Sequence, residues 1–142
     1  MDNDMNNHYE LTNEIQVKKR IAILGGGPSS LFMYKRLIDS DLDLEITIFE
    51  KKAQLGSGMP YSAEGANREH ITNVSANEIP EIVTSIAQWI QTVSDVKLDY
   101  YGIDKSKFNE YKVLPRLLFG EYLTAQFDLL LAKGKSQVKL CC

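Results

Sequence analysis

The sequence predicts an α/β domain built on a parallel sheet, and three observations predict it. Ile21-Ala22-Ile23-Leu24 is a short, wholly apolar run. Gly25-Gly26-Gly27-Pro28-Ser29-Ser30 follows it at once. Leu44-Glu45-Ile46-Thr47-Ile48-Phe49-Glu50 then alternates apolar and polar residues and ends on an acid. In order these read as strand, glycine turn, helix and second strand, the opening of a βαβ unit.

Each element has its own reason. An apolar run such as Ile21 to Leu24 is expected of a parallel strand covered on both faces. Pro28 suits the first position of a helix, where its missing N–H is no loss, and the helix should run to Ser40. Leu31, Tyr34, Leu37 and Ile38 form its apolar stripe, with Lys35, Arg36 and Asp39 facing water. From Lys51 to about Asn77 glycine, proline and asparagine interrupt any period, and a connection of that length in a compact domain is usually functional or disordered. Glu78 to Val93 carries Ile79, Ile82, Val83, Ile86, Trp89, Ile90 and Val93 at helical spacing. Ser94 to Val113 has no decided period. A last helix is expected from Pro115 to about Lys133, with Gly134 as its stop. Gln137 to Leu140 alternates again as a strand. Residues 1–17 are polar and read as a flexible N-terminal tail, which leaves residues 18–142 as the domain.

Bulk properties narrow the function. At 142 residues, 44% hydrophobic and 25% charged, the chain suits one soluble domain. Its net charge of -3 argues against nucleic acid or an anionic membrane as partner, since either favours a basic patch. Cys141 and Cys142 are the two cysteines, adjacent and terminal, which fits neither a metal site nor a disulfide framework. A reduced, cytoplasmic protein is expected, with no metal and an undefined oligomeric state.

The glycine turn carries the chemistry. Gly25 and Gly27 fill the first two positions of G-x-G-x-x-G, and Ser30 replaces the third. The first glycine permits the sharp turn, and the second lets a pyrophosphate approach the backbone. The helix start then offers free N–H groups and partial positive charge. Glu50 ends the second strand, somewhat beyond the ~20-residue spacing usual for the acid that binds ribose hydroxyls. A carboxylate there repels a 2′-phosphate, which favours FAD or NAD over NADP. The arrangement is a Rossmann-like dinucleotide site. No Gly-Lys-Ser or Gly-Lys-Thr follows the strand, so a P-loop is excluded. A methyltransferase that binds S-adenosylmethionine remains a rival with a similar turn and acid, although its loop favours glycine where Ser29 stands.

Gly25-Gly26-Gly27-Pro28-Ser29-Ser30 with Phe49-Glu50-Lys51 resembles the FAD-binding start of two-dinucleotide flavoproteins. Gly56-Ser57-Gly58-Met59-Pro60-Tyr61, His70-Ile71-Thr72-Asn73-Val74 and the run from Pro115 to Leu123 resemble bacterial FAD/NAD(P)-binding proteins, distantly similar to flavin monooxygenases. The likeness spans roughly residues 20–140. It implies a flavin-dependent oxidoreductase in which NAD(P)H delivers hydride to FAD, followed in the monooxygenases by oxygen activation. It also implies roles: Gly25, Gly27 and Ser29 toward the pyrophosphate, Ser30 as the small third position of the same cofactor-binding turn, Glu50 at the ribose and Lys51 by the adenine. Met59 would lie near the flavin or pyrophosphate, Asn73 and Val74 nearer the isoalloxazine, and Arg116 at the pocket. No catalytic side chain is nominated, because the cofactor carries such chemistry.

Members of that family are longer and return to the FAD domain with a second glycine segment, which implies a truncated chain whose sheet is incomplete at the C-terminus. Such a chain is expected to hold FAD weakly, to be inactive alone, and to leave Ile21, Ile23, Ile46 and Ile48 poorly covered. A non-catalytic nucleotide-binding or remnant domain is the alternative from another functional class. His70, Trp89 and Tyr61 each have a plain structural reading beside any role at a flavin.

Overall fold

The computed structural model describes residues 18–134. The tail over residues 1–17, the strand expected at Gln137 to Leu140 and the pair Cys141-Cys142 lie outside the described residues. Strand β1 (Lys19–Leu24), helix α1 (Pro28–Ile38) and strand β2 (Leu44–Phe49) form the expected crossover unit. β1 and β2 pair in parallel, with Ile21 opposite Ile46 and Ile23 opposite Ile48. These residues and α1 supply one side of the core, where Leu31 and Tyr34 are fully buried.

Helix α4 (Arg116–Lys133) closes that core. Leu118, Tyr122, Phe127 and Leu130 are buried, and Phe127 packs on Tyr34 with ring centroids 5.6 Å apart. Pro115 precedes the helix as its N-cap and Gly134 ends it. The burial reaches Phe119, Gly120, Leu123 and Gln126 as well, so α4 is covered on more than one face, while Leu129 is exposed. Gly120 admits the loop before it: a Cβ there would meet the Tyr61 carbonyl, while the Tyr61 ring stands edge-on to Phe119 at 4.9 Å.

The expected exposure of the strand isoleucines is corrected. Ile23, Ile46 and Ile48 are buried and Ile21 is half-buried, because α1 and α4 both pack into the core they line. The expectation that β1 is covered on both faces also fails among the described residues. Ala22 and Leu24 face out, Leu24 at 82% exposure, paired with Thr47 and Phe49 on a face that carries no helix.

The middle of the chain departs most from its sequence pattern. A second sheet, antiparallel, joins β3 (Ile71–Ser75) to β4 (Val113–Pro115). The single helix expected over Glu78 to Val93 is only α2 (Ile86–Thr92), with α3 (Asp95–Tyr100) after it. Pro80 biases Ile79 away from helical backbone, and Ile79 is extended at φ -84, ψ 120. Ser85 and Gln88 form a reciprocal capping box that starts the helix late. Residues 79–85 instead run along α4. The buried Gln126 amide oxygen accepts the N–H groups of Val83 (3.0 Å) and Thr84 (2.8 Å), and its nitrogen donates to Thr84 Oγ1 (2.9 Å). Trp89 belongs to this packing, edge-on to Tyr122 at 5.6 Å. Among the described residues no helix is long and apolar enough to cross a membrane.

Candidate functional site

The glycine turn sits where β1 ends beside β2. Gly25 donates its N–H to the Phe49 carbonyl at 2.8 Å, which prolongs the parallel pairing by one residue. Its φ of +90° is a region that side-chain-bearing residues rarely adopt, so glycine lets the chain turn off the strand. Ser30 Oγ donates back to the Gly25 carbonyl at 2.5 Å. The third motif position therefore does more than stay small, because its hydroxyl ties the helix to the turn.

Gly26, the unassigned position of the motif, is the most constrained. Its N–H donates to Glu50 Oε2 at 2.7 Å, and its carbonyl accepts the Gly56 N–H at 2.7 Å. A Cβ on it would collide with Leu55 Cδ2. The motif pattern carries no sign of this role. The nearest sequence signal is the apolar Leu55 followed by Gly56 within a polar stretch.

Gly27 differs. Its backbone is extended (φ -79, ψ -170) and caps α1. A Cβ there would meet only the Gly58 Cα, at an ordinary 3.6 Å. Neither backbone nor packing requires glycine at this position. The helix beyond has Pro28 at its start, no acid in its first turn and no side-chain cap. Its first N–H groups have no acceptor within the helix, and the end carries partial positive charge.

Glu50 is held charged beside this helix end. The hydrogen bond from Gly26 chiefly lowers its carboxyl below the ordinary 4.5, with help from the N–H groups of Lys52 and Lys51 and the Lys52 charge, against some desolvation. The Lys52 N–H reaches Glu50 Oε1 at 3.0 Å. Stability from these bonds is present above pH 4.5 and is lost as pH falls through the lowered value. Lys51 is exposed, and Met59 is 61% exposed on the loop that brings Gly58 against Gly27.

Asn73, Val74 and Arg116 form a second group on β3 and the start of α4. Arg116 Nε donates to the Ile71 carbonyl at 2.8 Å, and its Nη2 donates to Asn73 Oδ1 at 3.1 Å. No hydrogen bond among the described residues ties this group to the glycine turn. His70 is exposed and its Nδ1 accepts the Asn67 N–H at 3.1 Å, a loop contact. A cleft of about 580 Å³ opens by Ser57, Tyr61, Trp89 and Glu121, but none of the predicted site residues lines it.

The family model described as FAD-NAD(P)-binding matches residues 22–142. The chain belongs to that FAD-NAD(P)-binding family. Its α/β crossover is consistent with a partial Rossmann-like fold. A curated relative, "Uncharacterized protein YdhS" of Escherichia coli (strain K12), is 36% identical over 119 residues, 84% of this chain. The chain spans 22% of the length of that relative. The crystal structure of Thermovibrio ammonificans THI4 aligns with a TM-score of 0.43 at 21% identity, over 88% of this chain and 38% of that one.

Proposed function

We propose that the glycine turn binds the adenosine diphosphate half of a dinucleotide, FAD foremost, within a flavin-dependent oxidoreductase of monooxygenase-like type. One observation carries the reading. Gly27 keeps clear a space that its own fold does not need, directly before an uncapped helix end and beside a charged Glu50. The positive helix end there suits a pyrophosphate, and the carboxylate suits the neutral hydroxyls of a ribose. Gly25 and Gly27 let it approach, and the N–H groups of Ser29 and Ser30 donate to it. The free lone pairs of Glu50 accept ribose hydroxyls, and Lys51 lies by the adenine. Met59, Asn73, Val74 and Arg116 are proposed nearer the flavin. When bound, FAD would supply the hydride-accepting chemistry, with NAD(P)H as donor. The chain is proposed to work in the cytoplasm, where its two cysteines stay reduced.

Titration of the chain with ADP and with adenosine tests this. Glu50→Ala should weaken both by ~1.5–3 kcal/mol, the usual worth of a charge-assisted hydrogen bond. ADP bearing a 2′-phosphate should bind about tenfold more weakly than ADP, because two negative charges at close range repel by a kcal/mol or more. The same variant should lose the acid-sensitive stability contributed by Glu50. Unchanged affinity for both ligands in Glu50→Ala would refute the placement of the ribose.

A further inference from the structure

We propose that Leu55 and Gly56 are positioning residues for the phosphate turn, and that through them helix α4 sets how well the turn fits a pyrophosphate. This rests on the nucleotide reading above. The Gly26 residue lies at the centre of the turn, with both of its polar backbone groups engaged. Glu50 holds the N–H, and Gly56 holds the carbonyl at 2.7 Å. Leu55, itself only 5% exposed, covers the Cα so closely that a Cβ there would have to displace the Leu55 side chain. With the N–H and the carbonyl both fixed, the peptide planes leading into Gly27 are fixed too. The N–H groups at the start of α1 are thereby aimed.

The brace has a second end. Gly56 adopts φ +104°, and a Cβ on it would lie 2.6 Å from the Leu123 carbonyl oxygen and the Thr124 nitrogen of α4. Residues 55–56 are thus wedged between the turn and the middle of α4. That helix is seated by the buried Tyr122, Gln126 and Phe127. A shift of α4 toward the loop presses on Gly56 as well as on Tyr61, and Gly56 is hydrogen-bonded to Gly26. Leu55 is not proposed to touch a ligand, so its effect on binding passes through the geometry of the turn.

The ratio of ADP to adenosine affinity isolates this effect. Both ligands use Glu50, but only ADP uses the turn. In the full 142-residue chain, Leu55→Ala is expected to weaken ADP about tenfold, as small displacements of binding groups do, and to leave adenosine unchanged. Leu55→Met should restore ADP binding. Titrations by nuclear magnetic resonance would be run at a temperature where circular dichroism shows each variant folded. Gly56→Ala provides a second variant, expected to shift the ratio in the same direction. If ADP and adenosine weaken together in folded Leu55→Ala, or neither changes, Leu55 is packing only and the proposal fails. If the unaltered chain binds neither ligand, the nucleotide reading fails and the proposal fails with it.

Discussion

Gly27→Val is expected to lose ADP binding by more than about a hundredfold while the chain stays folded. The two effects separate because the position is asymmetric. Toward the protein, a Cβ meets only the Gly58 Cα at an ordinary distance, and the backbone is already extended. Valine is a poor N-cap compared with glycine, so a stability loss of about 1 kcal/mol is expected. Toward the helix end, the isopropyl group fills the space before the N–H groups of Ser29 and Ser30. Losing two charge-assisted hydrogen bonds at ~1.5–3 kcal/mol each removes on the order of 3 kcal/mol or more. Calorimetric titration with ADP and a urea melt of the same sample measure both halves. Binding retained within threefold would reduce the turn to architecture.

Gln126→Leu is expected to be the most destabilising single change of similar volume. Leucine fills the space but offers no oxygen to Val83 and Thr84 and no donor to Thr84 Oγ1. Two backbone N–H groups are then left without partners in a partly buried strip, at ~1–3 kcal/mol each. Their sum, about 2–6 kcal/mol, is a large part of the ~5–15 kcal/mol that holds a small domain together. A urea denaturation midpoint, compared with that of exposed Gln91→Leu, provides the measurement. A loss below about 0.5 kcal/mol would show that residues 79–85 do not depend on α4.

The elements that the sequence made legible are those with a period and a stop. β1, α1 and α4 each have an apolar pattern bounded by glycine or proline, β2 alternates up to the acid Glu50, and the glycine turn with Glu50 follows from their order. β3 escaped because its buried side chain is polar: Thr72 is 3% exposed, and its hydroxyl donates to the Val74 carbonyl and accepts the Leu114 N–H. No apolar alternation marks such a strand. The start of α2 was readable in Ser85 and Gln88, but the apolar spacing running back to Ile79 masked it. Within the site, Gly26 and Leu55 were not legible, because their importance lies in a contact between segments far apart in sequence. The pairing of Arg116 with Asn73 likewise exists only once β3 and β4 are joined.

The reach of Gln126 also bears on the order in which the chain folds. β1, α1 and β2 find their partners within one crossover unit. The three hydrogen bonds of Gln126 close loops of 42 and 43 residues. Loop closure becomes entropically more demanding with length, so the crossover unit should form first and α4 should dock onto it later. Pulse-labelled hydrogen exchange during refolding would then show Ile46 and Ile48 protected before Val83 and Thr84. Until α4 arrives, a nascent chain holds its glycine turn with nothing behind Gly56 to press on it, and any early encounter with nucleotide meets a turn that is formed but not yet tuned.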